Sequence, residues 1–143
     1  MAKSVIPTAL RERVIRRALH RCEYCRCLDK FHSSNFTMDH LLPQSMNGPH
    51  SFENFAYACS LCNRLKSNKL KVFDEQTGAW IDLFNPRIHN WKEHFTWSED
   101  ETKMVGVTAI GRITIITLKL NRTKLLECRI ALIPFGEHPP KDV

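Results

Sequence analysis

The chain has 143 residues, 43% of them hydrophobic, and a net charge of +6. That is enough apolar material for one core, and no run of eighteen apolar residues offers a membrane span. The opening residues Met1 to Pro7 lack the apolar stretch of a secretory signal, so a cytoplasmic protein is expected, in which disulfides are uncommon. Six cysteines then need another use. The charge is uneven. Residues 1–72 hold 12 Lys/Arg against 5 Asp/Glu, a net of +7, while residues 73–143 hold 9 against 10, a net of −1. A basic field over the first half favours a polyanion such as DNA or RNA, although a solvated basic face would read the same way.

In chain order, Pro7 opens a predicted helix that runs to about Leu19. Leu10, Val14 and Ala18 share one face with Ile15 and Leu19, and Arg11, Arg13, Arg16 and Arg17 occupy the others. Packing is the expected role of this helix, with phosphate contact by Arg16 and Arg17 as an addition. Next, Cys22-Glu23-Tyr24-Cys25 and Cys59-Ser60-Leu61-Cys62 form two Cys-x-x-Cys pairs, separated by 33 residues. Each such pair presents two thiolates to one tetrahedral metal, which points to structural zinc. His20 and Cys27 lie close enough to compete as ligands, but four cysteines already complete a tetrahedron. Cys128 reads as a buried small hydrophobe.

Between the pairs, residues 36–42 read as a strand that ends at Pro43, residues 44–50 as a loop, and residues 55–58 as a second strand. A helix is expected from Ser60 to about Lys69. Asp39 and His40 are neighbours, so on a regular strand they point to opposite faces. Either the strand end turns both toward one phosphate, or Asp39 reaches a metal from across the hairpin. Asn63 falls at the start of the helix, and Lys66 shares its face one turn on, placed to meet a phosphate.

Asp39-His40-x-x-Pro43, then Asn54, then Cys59-x-x-Cys62-Asn63-x-x-Lys66 resembles the HNH endonuclease family, in a zinc-containing form with Asn at the third signature position. The resemblance spans roughly residues 20–70. It implies a ββα-metal fold (a His-Me finger) and divalent-metal-dependent cleavage of DNA that leaves 3′-hydroxyl and 5′-phosphate ends. It also implies that Asp39 and Asn63 hold a catalytic Mg²⁺ or Mn²⁺, that His40 is the general base, and that Asn54 orients the loop and His40. Cys22, Cys25, Cys59 and Cys62 would hold structural Zn²⁺. The chemistry agrees, because phosphodiester hydrolysis needs an activated water and a Lewis acid on the phosphate. A neutral imidazole can accept the water's proton. The rival reading is a non-catalytic zinc-ribbon module that binds nucleic acid, which leaves Asp39, His40, Asn54 and Asn63 unexplained. A zinc module that binds only protein is a third.

After Lys71 the pattern predicts strands at 71–74 and 80–84, then strand–turn–strand over 91–107 with three aromatics in Trp91–Trp97. These aromatics are expected in the core, with base stacking as the alternative. Thr108 suits the cap of a helix to about Leu120, although Ile113–Thr117 is β-branched enough for a strand. Thr123 suits the cap of another helix, ending near Ile133. The expected whole is an α+β protein and a single domain over 1–143, with the nuclease motif at 20–70 and a β/helical extension at 72–143. So small a chain leaves room for a partner protein that supplies sequence specificity.

Overall fold

The computed structural model describes residues 5–141. Helix α1, Thr8–Arg17, starts after Pro7, whose missing N–H costs nothing there, and buries Val14, with Ala18 buried at its C-terminal cap. Leu19 and His20 then take left-handed backbone angles that turn the chain into the first cysteine knuckle. Met1–Pro7 as a segment without a signal falls partly on residues 1–4, outside the described residues.

Strand β1, Thr37–His40, pairs antiparallel with β2, Phe55–Ala58, with Asp39 opposite Ala56 and His40 opposite Phe55. Helix α2, Ser60–Lys66, follows directly. It is three residues shorter than expected. Ser67, at φ 53°, leaves the helical path and feeds the chain into β3, Lys71–Asp74, which pairs with β4, Ala79–Asp82.

The stretch 91–97 is not the single strand the aromatics suggest. Asn90 accepts a hydrogen bond from Lys92 N at 3.2 Å and starts the one-turn helix α3, Trp91–His94. Only then does β5, Phe95–Trp97, pair with β6, Met104–Gly106. Helix α4, Ala109–Leu118, forms despite its β-branched run. Thr108 Oγ1 accepts from Gly111 N at 3.1 Å, and burial of Ile113, Thr114 and Leu118 outweighs local propensity. A Cβ at Gly111 would lie 2.0 Å from the carbonyl oxygen of His94, so only glycine lets α4 pack this closely on α3. Helix α5, Thr123–Leu132, is capped at Arg122 without a side-chain bond, one residue before the predicted Thr123.

The result is an α+β architecture of three two-stranded sheets and five α-helices, with four short 3-10 turns, among the described residues. Helix α4 packs against α2, α3, β3, β4 and β6. One cluster of buried side chains runs from Val14 through the hairpin to Phe84, Trp91 and Leu125, so the extension and the ββα motif share a core.

Candidate active site and metal centre

Cys22, Cys25, Cys59 and Cys62 are buried, and their sulfurs all lie within 4.8 Å of one another. In each pair the second cysteine's backbone N–H donates to the first sulfur at 3.4 Å, which fixes two matching knuckles. A tetrahedral zinc with bonds of about 2.3 Å needs sulfurs about 3.8 Å apart, and Cys25 and Cys59 stand at 3.9 Å. Electrostatics point the same way. Hydrogen bonds from Cys22, Cys25 and Cys62 push the Cys59 thiol far down, whereas burial pushes Cys22 well up and hydrogen bonding to its neighbours does the same to Cys62. A shared cation would relieve this conflict, because a metal binds cysteine as thiolate.

Arg122, which no motif singles out, points its guanidinium at this cluster, 3.5 Å from Cys59 Sγ and 3.6 Å from Cys62 Sγ. Burial works against its charge, yet the sulfurs of Cys62, Cys25 and Cys59 outweigh this and hold its pKa above the ordinary value. Cys27 and His20 stand apart from the cluster. His20 bonds Asp29 at 3.0 Å. Cys27 lies 3.1 Å from Cys128, so Cys128 is half-buried and thiol-paired, not an isolated core hydrophobe.

Beside the zinc seat, Asp39, His40 and Asn63 border one cleft of about 470 Å³, with Arg64, Ser67 and Asn68 on its rim. The strand end brings them together: Asp39 and His40 are the last two residues of β1, and Asn63 sits in the first turns of α2. Asp39 is buried. Its Oδ2 accepts a 2.6 Å hydrogen bond from Tyr24 and lies 3.1 Å from Lys66 Nζ. That ammonium is close enough for an ion pair but is not aligned as a hydrogen bond. Burial and the Asp39 charge hold the Tyr24 phenol well above its usual pKa, so it stays a donor. Oδ1 of Asp39 and the Asn63 amide carry no hydrogen bond among the described residues, which leaves two oxygens open to a hard cation.

His40 Nε2 lies 2.8 Å from His50 Nδ1, and its ring meets Phe55 edge-on at 4.8 Å. Burial first, then His50, lowers the His40 pKa below 6.5. Asn54 is buried and ties the loop between them. Its Oδ1 accepts from Leu42 N at 2.9 Å, while its Nδ2 donates to Leu42 O at 3.1 Å and to Pro49 O at 2.9 Å.

Two expectations of phosphate contact are corrected. Lys66 is 3% exposed, spent on Asp39, and not available to a phosphate. The ββα turn carries its side chain under the cleft. Arg17 donates to the carbonyls of Phe52 and Phe55 at 2.6 and 2.5 Å and lies over the Phe52 ring, so it fastens α1 to the hairpin. Arg16 remains exposed. Also unforeseen is buried Glu23, which accepts from Tyr57 N at 2.7 Å and pairs with Arg87 from the extension.

A ββα hairpin with a four-thiol seat and an Asp-His-Asn cleft defines a metal-centred motif of the HNH kind. Residues 22–69 match the family model described as HNH endonuclease, and the chain carries an HNH domain over that segment. No curated protein and no solved structure matches the chain.

Proposed function

We propose that this cleft hydrolyses phosphodiester bonds of DNA with one catalytic metal. The observation that carries the reading is that Asp39, His40 and Asn63 open on one cleft within the segment matching the HNH family. Asp39 Oδ1 and the Asn63 carbonyl would hold Mg²⁺ or Mn²⁺, as oxygen donors suited to a hard cation. Bound there, the ion supplies a Lewis acid for the phosphate and for the leaving oxygen. His40 takes the proton of the attacking water. Its lowered pKa keeps it neutral near pH 7, as a base must be. With Nε2 occupied by His50, the nitrogen that accepts the proton is Nδ1. This requires His40 to donate from Nε2 and His50 Nδ1 to accept.

Tyr24 and Lys66 hold Asp39 in place from beneath, and Asn54 holds the loop that carries His50. Exposed Arg64 on the rim and Arg16 on α1 are the cations placed for phosphates. Zn²⁺ on the four cysteines is structural, and the small chain leaves room for a partner protein that supplies sequence specificity. The test is cleavage of supercoiled plasmid with Mg²⁺ or Mn²⁺ by wild type and by His40→Ala of equal zinc content. Cleavage to 3′-hydroxyl ends by wild type alone supports the mechanism. DNA binding without cleavage under either metal returns the chain to a non-catalytic zinc module.

A further inference from the structure

Phe73 on β3 and Trp80 on β4 face each other across the second hairpin, their ring centroids 5.7 Å apart at 62°. Their strand neighbours Val72 and Ile81 pack against the core, so this pair occupies the opposite, outer face. Phe73 is 45% and Trp80 68% exposed. A cross-strand aromatic pair steadies a hairpin, but that role does not require an indole to remain two-thirds wet.

The charge leading to this pair has one sign. Residues 54–73 contain Arg64, Lys66, Lys69 and Lys71 and no acid. Lys66 is spent on Asp39, but the other three are exposed. Arg64 and Asn68 border the cleft, and Lys69 and Lys71 continue from there to Phe73. Lys71 stands 3.9 Å from Asp82, a contact between two largely exposed groups that water weakens. From Asn68 to Phe73 the chain spans at most about 18 Å, the reach of a few nucleotides of strand.

We propose that Trp80, backed by Phe73, is a stacking platform for a base of an unpaired nucleic-acid strand that leaves the cleft along Lys69 and Lys71. Every base offers a π-face to an indole, and the lysines meet the phosphates on either side. The same charges disfavour a second copy of this chain, because a two-fold contact would set each set of lysines against its twin. The proposal rests on the preceding reading only in placing nucleic acid in the cleft.

Trp80 is the exposed indole of the three, beside buried Trp91 and half-buried Trp97, and so reports directly on its own contact. A labelled oligo-dT of about a dozen nucleotides, and a blunt duplex of the same length, are titrated into zinc-loaded full-length His40→Ala protein without added Mg²⁺. Tryptophan fluorescence and anisotropy are followed. The expected result is quenching by the single strand. Trp80→Leu, checked for unchanged melting and zinc content, loses about five- to hundred-fold in affinity, whereas Trp80→Phe keeps most of it. The salt dependence stays the same, since no phosphate contact is removed.

Equal binding by Trp80→Leu overturns the proposal, as does an unquenched Trp80 in the parent protein. A concentration-dependent dimer that Trp80→Leu abolishes also overturns it, by assigning the patch to a second copy. Plasmid cleavage with Trp80-independent binding defeats the platform alone. Trp80-dependent binding without cleavage defeats the nuclease reading alone.

Discussion

Replacing Arg122 by Gln tests the zinc seat from outside its ligand set. Zinc with four thiolates carries a net charge of about −2, and this cluster is buried. The Arg122 guanidinium lies 3.5–3.6 Å from two of the sulfurs. At an effective dielectric of about 20, a unit charge at that distance is worth about 4–5 kcal/mol. Arg122 is only half-buried, so water and desolvation take back much of this, leaving about 1.5–3 kcal/mol, the usual net value of a hydrogen bond to a charged group. Zinc affinity should therefore fall about 10- to 100-fold, as for other partners of metal ligands. Arg122→Lys should fall between, because it keeps the charge but loses the fork. Competition for zinc against a chromophoric chelator measures the change. An Arg122→Gln protein that holds zinc as tightly as wild type would refute the reasoning, as would wild type purified without zinc from zinc-replete cells.

Three further outcomes follow from the cleft. Cleavage by wild type should rise with pH through a midpoint below 6.5 and then level off, because burial and His50 lower the His40 pKa and the base works unprotonated; a rate–pH profile with its midpoint above 6.5 contradicts this. Asn54→Ala removes three hydrogen bonds from a buried position and should cost about 2–3 kcal/mol in urea unfolding. Tyr24→Phe strips a 2.6 Å donor from Asp39 and should cost about 1.5–3 kcal/mol while keeping zinc content; loss of zinc instead would mean that Tyr24 supports the knuckle and not the cleft.

The ββα motif was legible because its signals are local and ordered. Cys-x-x-Cys fixes a knuckle by itself, Pro43 ends a strand, and Asp39, His40, Asn54 and Asn63 come in sequence between and beside the knuckles. The turn of Asp39 and His40 toward one cleft was open on paper, and the end of β1 at His40 decides it. Helix α4 was legible from its cap at Thr108 against the pull of its β-branched run. Helix α3 had a signal that the aromatics masked: Asn90 with Glu93 three residues on is the pattern of a capping box. The long-range polar partners had none. Arg122 lies 60 residues beyond Cys62, and Arg87 lies 64 beyond Glu23. Lys66 looked like any basic residue on a helix face, and only the packing of α2 under β1 turns its ammonium onto Asp39.

Helix α2 begins on Cys59, whose sulfur accepts from Cys62 N, and the residue after Cys62 is Asn63. Seven residues are too few to stay helical unsupported. The four-thiol seat fixes the first turn of α2, and its loss would loosen Asn63 even though α4 and the Lys66–Asp39 pair still hold the rest of the helix. If both sites bind as proposed, the two metals would act in a fixed order. On the proposed reading, zinc would have to enter a newly made chain before the magnesium site is built, so zinc supply, not magnesium supply, would arm the proposed nuclease.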